Sequence, residues 1–192
     1  MQIVYRNVVF DHTCPWSSSE ISALEDILGA SLPKDFLDFS AVVGGGVCEF
    51  SFDVPFPRGG NRTLALRDWH GFKCRTTFAE ALDFARKTFH IPQKVLPIAN
   101  SDWENFVFLD LTQEGGGRVV VFVMGKPAWT GWSTESTWTT VAESFTELLD
   151  RMYLDDETVE LLQEELGDDE EEDRRIERIL DIGRPGWRAA PS

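Results

Sequence analysis

The sequence predicts a globular chain that mixes helices and strands, on three observations. Two short helical patterns stand in tandem from Ser17 and close on Gly44-Gly45-Gly46. Two apolar β-branched runs, Phe106 to Leu111 and Arg118 to Met124, flank Gly115-Gly116-Gly117 in the pattern of a hairpin. A last helical pattern is followed by an acidic stretch that repeats apolar residues at helical spacing.

In chain order, Ile3 to Phe10 reads as a first strand. Ser17 and Glu20 form a capping box, with Trp16 and Ile21 spaced as a hydrophobic staple. Ile21, Leu24, Ile27 and Leu28 would then share one apolar face, and Gly29 supplies a left-handed stop. Pro33 suits the first turn of the second helix, whose buried face is Phe36, Phe39 and Val43. Val47 to Val54 reads as a strand with Cys48, Phe50 and Phe52 on one side. A Pro/Gly loop over Pro55 to Asn61 follows, then a strand over Thr63 to Trp69. Thr77 and Glu80 make a second capping box, opening a helix to about Thr88. Val95 to Ala99 is a short apolar run and Asn100 to Glu104 a turn. Thr140 and Glu143 are spaced to open the next helix, with Val141, Phe145, Leu148, Leu149 and Met152 inward. Beyond Tyr153 a helix over Asp155 to Leu166 carries Val159, Leu162 and Leu166 on one stripe, and Gly167 stops it. Asp168 to Asp173 is wholly acidic. Ile176, Ile179 and Leu180 mark one more helix before Gly183, and Arg184 to Ser192 reads as a frayed end.

The net charge is -15 over 192 residues. Residues 143–192 hold 17 of the 33 acidic and 6 of the 18 basic side chains, so most of the imbalance lies there. Such a field repels nucleic acid and anionic membranes and draws a basic protein toward it. The segment Met1 to His12 lacks the basic-then-apolar order of a secretory signal, and no apolar run reaches membrane-spanning length. Three widely spaced cysteines, Cys14, Cys48 and Cys74, fit reduced thiols better than a disulfide framework. A cytoplasmic location is therefore expected.

Several of these residues together resemble the SUKH superfamily, the Smi–Knr domain. Glu25, Leu28-Gly29 and Leu32-Pro33 match its opening helix and turn, Phe36 the following aromatic, and Leu96-Pro97-Ile98-Ala99 its apolar-Pro-Ile segment. Phe106 to Asp110 is similar to its strand ending in an acid, and Ser144 to Leu149 to its last helix. The likeness runs from about Ser17 to Tyr153. Ser101-Asp102-Trp103-Glu104 stands where the family is often glycine-rich, and the acidic end lies beyond the pattern. The resemblance implies an α+β fold: a single SUKH-like domain over 1–153, a mostly antiparallel sheet with helices packed on it. An acidic, partly helical extension covers 154–192. Bacterial members of that superfamily are immunity proteins that neutralise secreted toxins, many of them nucleases. Eukaryotic members resemble regulatory scaffolds, so a non-catalytic interaction module without a toxin is the alternative.

The catalytic and metal-binding readings are weaker. His12 and Cys14 are the one close pair among the His and Cys residues, looser than a structural zinc motif. Asp68-Trp69-His70 could pair an acid with a base, but no nucleophile on a tight turn accompanies it. The triple glycines lack the Lys and Ser/Thr of a phosphate loop, and Asp102, Glu104 and Asp110 are carboxylates without a defined geometry. No enzyme activity, metal or cofactor is expected. The expected partner is a basic protein toxin. The residues chosen to meet it are Asp102, Trp103, Glu104, Trp129, Trp132, Glu164, Glu165, Asp168 and Asp169, the acids for steering and the aromatic rings as anchors. Trp138 is expected to cap a sheet edge or fill the core.

Overall fold

A computed structural model of the chain describes residues 2–55, 60–101, 105–130, 135–167 and 169–189. The fold is α+β. A six-stranded antiparallel sheet runs in the order β10-β9-β8-β7-β6-β3, with two separate hairpins, β1-β2 and β4-β5. The strands are β1 (Ile3–Tyr5), β2 (Val8–Phe10), β3 (Gly46–Val47), β4 (Ser51–Pro55), β5 (Asn61–Ala65), β6 (Asp68–Trp69), β7 (Val95–Ser101), β8 (Asn105–Asp110), β9 (Arg118–Val123) and β10 (Thr137–Ala142). The helices are α1 (Ser18–Leu28), α2 (Lys34–Val42), α3 (Phe78–Phe89), α4 (Phe145–Asp150), α5 (Asp156–Glu164) and α6 (Glu170–Gly183).

Helix starts follow local chemistry closely. Both predicted capping boxes are formed, Ser17 with Glu20 and Thr77 with Glu80. Each satisfies amides that the first helical turn leaves unpaired, which contributes about 1 kcal/mol. Gly29 ends α1 in the left-handed conformation, at φ 63°. Glu25 then reaches past the turn, its Oε1 accepting from the Leu32 amide at 2.8 Å. That bond ties the end of α1 to the start of α2.

The central strand β8 is buried along its whole length because both faces of the sheet are covered. Val107 and Leu109 face the larger core, with Val119, Val121 and Val123 of β9. Phe106 and Phe108 face the other side, where Phe84 and Phe89 of α3 and Phe122 of β9 complete an aromatic layer. The larger core is built on rings from distant segments: Phe10, Phe36, Phe39, Trp69 and Phe145 pack at centroid distances of 4.9 to 6.2 Å. Helices α5 and α6 add Val159, Leu162, Ile176, Ile179 and Leu180 to this same core.

Several expectations change. Ile3 to Phe10 is a hairpin, not one strand, because Arg6 and Asn7 both take positive φ (49° and 63°) and reverse the chain. Val47 to Val54 and Thr63 to Trp69 each divide between two sheets. Between the pairs Val47–Asp68 and Ser51–Ala65 one side spends three residues and the other two, so a bulge swings β4-β5 off the main sheet. Ile27 is 51% exposed instead of inward, since Leu24 and Leu28 alone meet the core from that part of α1. Asn100 and Ser101 continue β7 instead of turning. Thr140 stays in β10, and α4 is capped one turn later by Ser144, whose side chain accepts from the Glu147 amide at 3.1 Å. The predicted loop at Pro55 to Asn61 has Pro55 and Asn61 as paired strand residues; positions 56–59 lie outside the described residues. In the predicted frayed end, residues 187–189 form a turn of 3-10 helix held by Trp187 Nε1 donating to Asp181 at 2.8 Å.

Candidate protein-interaction surface

Two surfaces gather the side chains chosen for partner contact that the structure describes. One is the acidic end formed by α5 and α6. Glu164 is the last residue of α5 and Glu165 caps it, and both are exposed. Asp169 caps α6, its carboxylate accepting from the amides of Glu171 and Glu172 at 2.9 and 3.1 Å. Gly167, at φ 108°, makes the turn between the helices, and its amide donates to Asp173 at 2.8 Å.

These acids divide by physical role. Asp169 to Asp173 occupy the start of α6, where unpaired amides and the helix dipole favour negative charge. Glu164 and Glu165 stand at the opposite kind of terminus. The last turn of α5 carries no basic residue, so two carboxylates face its carbonyl end. That placement works against folding.

A charged groove of about 980 Å³ runs beside this end, between α6, the β1-β2 hairpin and β3. Arg175 forms its wall, 26% exposed, with Asp11 at 3.0 Å and Glu172 at 2.7 Å. Burial alone would lower the Arg175 pKa, yet these two carboxylates raise it and hold the guanidinium charged. The pair Asp11–Arg175 spans the sequence from one end to the other and left no local signal to find it by.

The second surface is aromatic and lies at the other edge of the sheet. Trp129 is 88% exposed on a 3-10 turn after β9. Trp138 does sit on the edge strand β10, but it is 47% exposed, its ring packed on Phe89, Phe108 and Phe122. A cleft of about 500 Å³ opens beside it, floored by Phe89, Phe108 and Val95, with Asp110 and Arg118 paired at 3.2 Å at one end. Trp138 is the interaction candidate that sequence reasoning passed over; its alternation with Thr137 and Thr139 was the available signal. Asp169 shares its groove with β3, and Trp138 is on β10, the opposite sheet edge. Five strand spacings put these edges about 24 Å apart. Asp102, Trp103, Glu104, Trp132 and Asp168 lie outside the described residues.

Asp68 and His70 do not form an acid–base pair. His70 is buried and donates from Nδ1 to Pro97 O (3.2 Å), while Nε2 accepts from Asn100 Nδ2 at 2.8 Å. Burial pushes its pKa down to about 4, so the ring is neutral at pH 7 with both nitrogens engaged. Asp68 instead has Arg75 Nη1 at 3.8 Å, ion-pair distance but too long for a hydrogen bond. Among the described residues no group of three or more His, Cys, Asp or Glu converges as metal ligands. No helix among them is long and apolar enough to cross a membrane.

The neutral His70 predicts a pH dependence. An unfolded histidine titrates near 6.5 and this one near 4, so the unfolded state takes up the proton first as pH falls. The stabilisation is full above pH 6.5 and is lost progressively toward pH 4, amounting to about 3 kcal/mol. Urea midpoints for the wild type and His70→Gln across that range should converge as pH drops. Parallel curves would mean that His70 titrates alike in the folded and unfolded states.

A comparison with curated proteins returns no match. The sequence model of the SMI1 / KNR4 family (SUKH-1) matches residues 15–151, from the segment before α1 to the end of α4. With the antiparallel sheet, the tandem α1-α2 pair and the Leu96-Pro97-Ile98 strand in place, the chain belongs to the SMI1 / KNR4 family (SUKH-1).

Proposed function

We propose that this chain is an immunity protein, which binds a cognate basic toxin domain of the nuclease type in the cytoplasm and blocks it by non-covalent occlusion. Membership of the family supports a protein partner. The observation that carries the finer reading is the pair Glu164 and Glu165 at the carbonyl end of α5. Local stability disfavours carboxylates there by a few tenths to about 1 kcal/mol each. Sequences break such local rules at functional sites. A carboxylate array on ordered helices suits a groove that holds phosphates with Lys and Arg. The contact set proposed is Asp102, Trp103, Glu104, Trp129, Trp132, Glu164, Glu165, Asp168 and Asp169. The acids speed encounter and the aromatic rings slow release.

The test is binding to a toxin domain, should a neighbouring gene encode one, measured with the wild type and with a Glu164→Gln/Glu165→Gln variant. The variant should melt slightly higher yet bind about tenfold or more weakly, with a smaller salt dependence. Affinity unchanged between low and high salt would remove the steering argument. A protein that fails to relieve toxicity would leave the regulatory module as the better reading.

A further inference from the structure

Cys14 and Cys74 are 60 positions apart in sequence and adjacent in the fold. Cys14 lies between β2 and α1, Cys74 in the loop between β6 and α3. The Cys14 Sγ donates to Lys73 O, the residue before Cys74, at 3.5 Å, which brings the two thiols to one place. Both are free thiols and partly exposed.

The glycine turn after α2 brings them together. Gly44, Gly45 and Gly46 take φ of 70°, 137° and 138°. A Cβ on Gly44 would strike Cys14 O at 2.1 Å, and one on Gly45 would strike Cys74 Sγ at 2.7 Å. Gly71 completes the seat, since a Cβ there would meet the same sulfur at 2.6 Å. The Cys74 sulfur is thus walled by backbone on two sides.

The backbones carrying the two thiols are themselves anchored. The Cys14 amide donates to Val43 O at 2.9 Å, and Trp16 Nε1 donates to Gly44 O. Gly71 pairs with Thr76 and Phe78 through backbone bonds of 3.3 and 3.0 Å.

We propose that Cys14 and Cys74 form an oxidisable dithiol that a peroxide converts to an intramolecular disulfide, pinning the 71–76 loop to the segment before α1. One thiol attacks the peroxide O–O bond, becoming a sulfenic acid and releasing the first water. The second thiol displaces the sulfenic oxygen as a second water, closing the S–S bond. Two thiols and one hydrogen peroxide thus give one disulfide and two waters. Burial and the neighbouring Cys14 push the Cys74 thiol up to about 12, which disfavours Cys74 as the first nucleophile. The cross-link would fix Arg75, which lines the charged groove with Asp169 and Glu171.

Cys48 is an internal control. It is buried, its Sγ donating to Leu66 O at 3.0 Å and accepting from Trp69 Nε1 at 3.1 Å.

The test is treatment of the folded full chain with hydrogen peroxide, then alkylation in denaturant, intact mass and peptide mapping. The expected product is a monomer lacking two hydrogens, with Cys14 linked to Cys74, Cys48 alkylated and full reversal by dithiothreitol. A bond closing so long a loop should raise Tm by about 5–10 °C, and the rise should vanish in Cys14→Ser and in Cys74→Ser. Any of four results would overturn the proposal: no reaction in excess peroxide, sulfinic acid on either residue without a link, a bond to Cys48, or an intermolecular dimer.

Discussion

Replacing Phe39 with alanine should lower stability by about 3–5 kcal/mol and Tm by about 10 °C. The ring stands where α2 crosses the main core, and it packs against Tyr5, Phe10, Phe36, Trp69 and Phe145. Those partners come from the N-terminal hairpin, α2 itself, β6 and α4. Removing the ring leaves a cavity bounded by other rigid rings, which collapse poorly into it. Ile27→Ala on the preceding helix is the matched control. Half-exposed, Ile27 should cost well under half as much, within about 1 kcal/mol. Chemical denaturation of the two variants checks the contrast; equal losses would misplace the core face of α1 and α2.

Ile176→Asp should be at least as damaging, costing about 4 kcal/mol or more. Ile176 is fully buried on α6 and belongs to the core shared with β2 and α2. A carboxylate there would be desolvated within the apolar core, and α6 has to leave the core to hydrate it. Leaving exposes more than one helix. Gly183 sits against Leu154 and Phe50, and Arg175 would release Asp11. The whole domain is therefore expected to melt in one transition at a lower temperature. If instead α6 alone unfolded and the rest melted as before, residues 154–192 would be energetically separate from the domain. Glu177→Gln on the outer side of α6 should change little, because its partner Arg188 is half-exposed and such pairs contribute about 1 kcal/mol at most.

The family match ends at residue 151, yet the core continues into α5 and α6. Charge and packing explain how one segment does both. Helix α6 places Ile176, Ile179 and Leu180 on its buried stripe and its glutamates outward. Its acidic first turn is locally favourable, so the long acidic run is compatible with order. Glu164 and Glu165, at the carbonyl end of α5, have no such local reason.

Local rules made much of this molecule readable in advance. Ser17, Glu20, Gly29, Thr77 and Glu80 set helix ends through hydrogen bonds within a few residues, and the inward faces of α2 and α6 follow from spacing alone. The hairpin across Gly115 to Gly117 is of the same kind. What needed the folded chain was everything decided by distant partners. A one-residue bulge sent β4-β5 away from the main sheet, a difference of register that neither strand carries by itself. The thiols of Cys14 and Cys74, the pair Asp11–Arg175 and the neutral ring of His70 arise from segments far apart in sequence. The sequence determined which segments are helical or extended and which faces are apolar, because those forces act within a turn or two. Tertiary structure decided which charges, sulfurs and rings meet, because desolvation and contact depend on what the rest of the chain brings alongside.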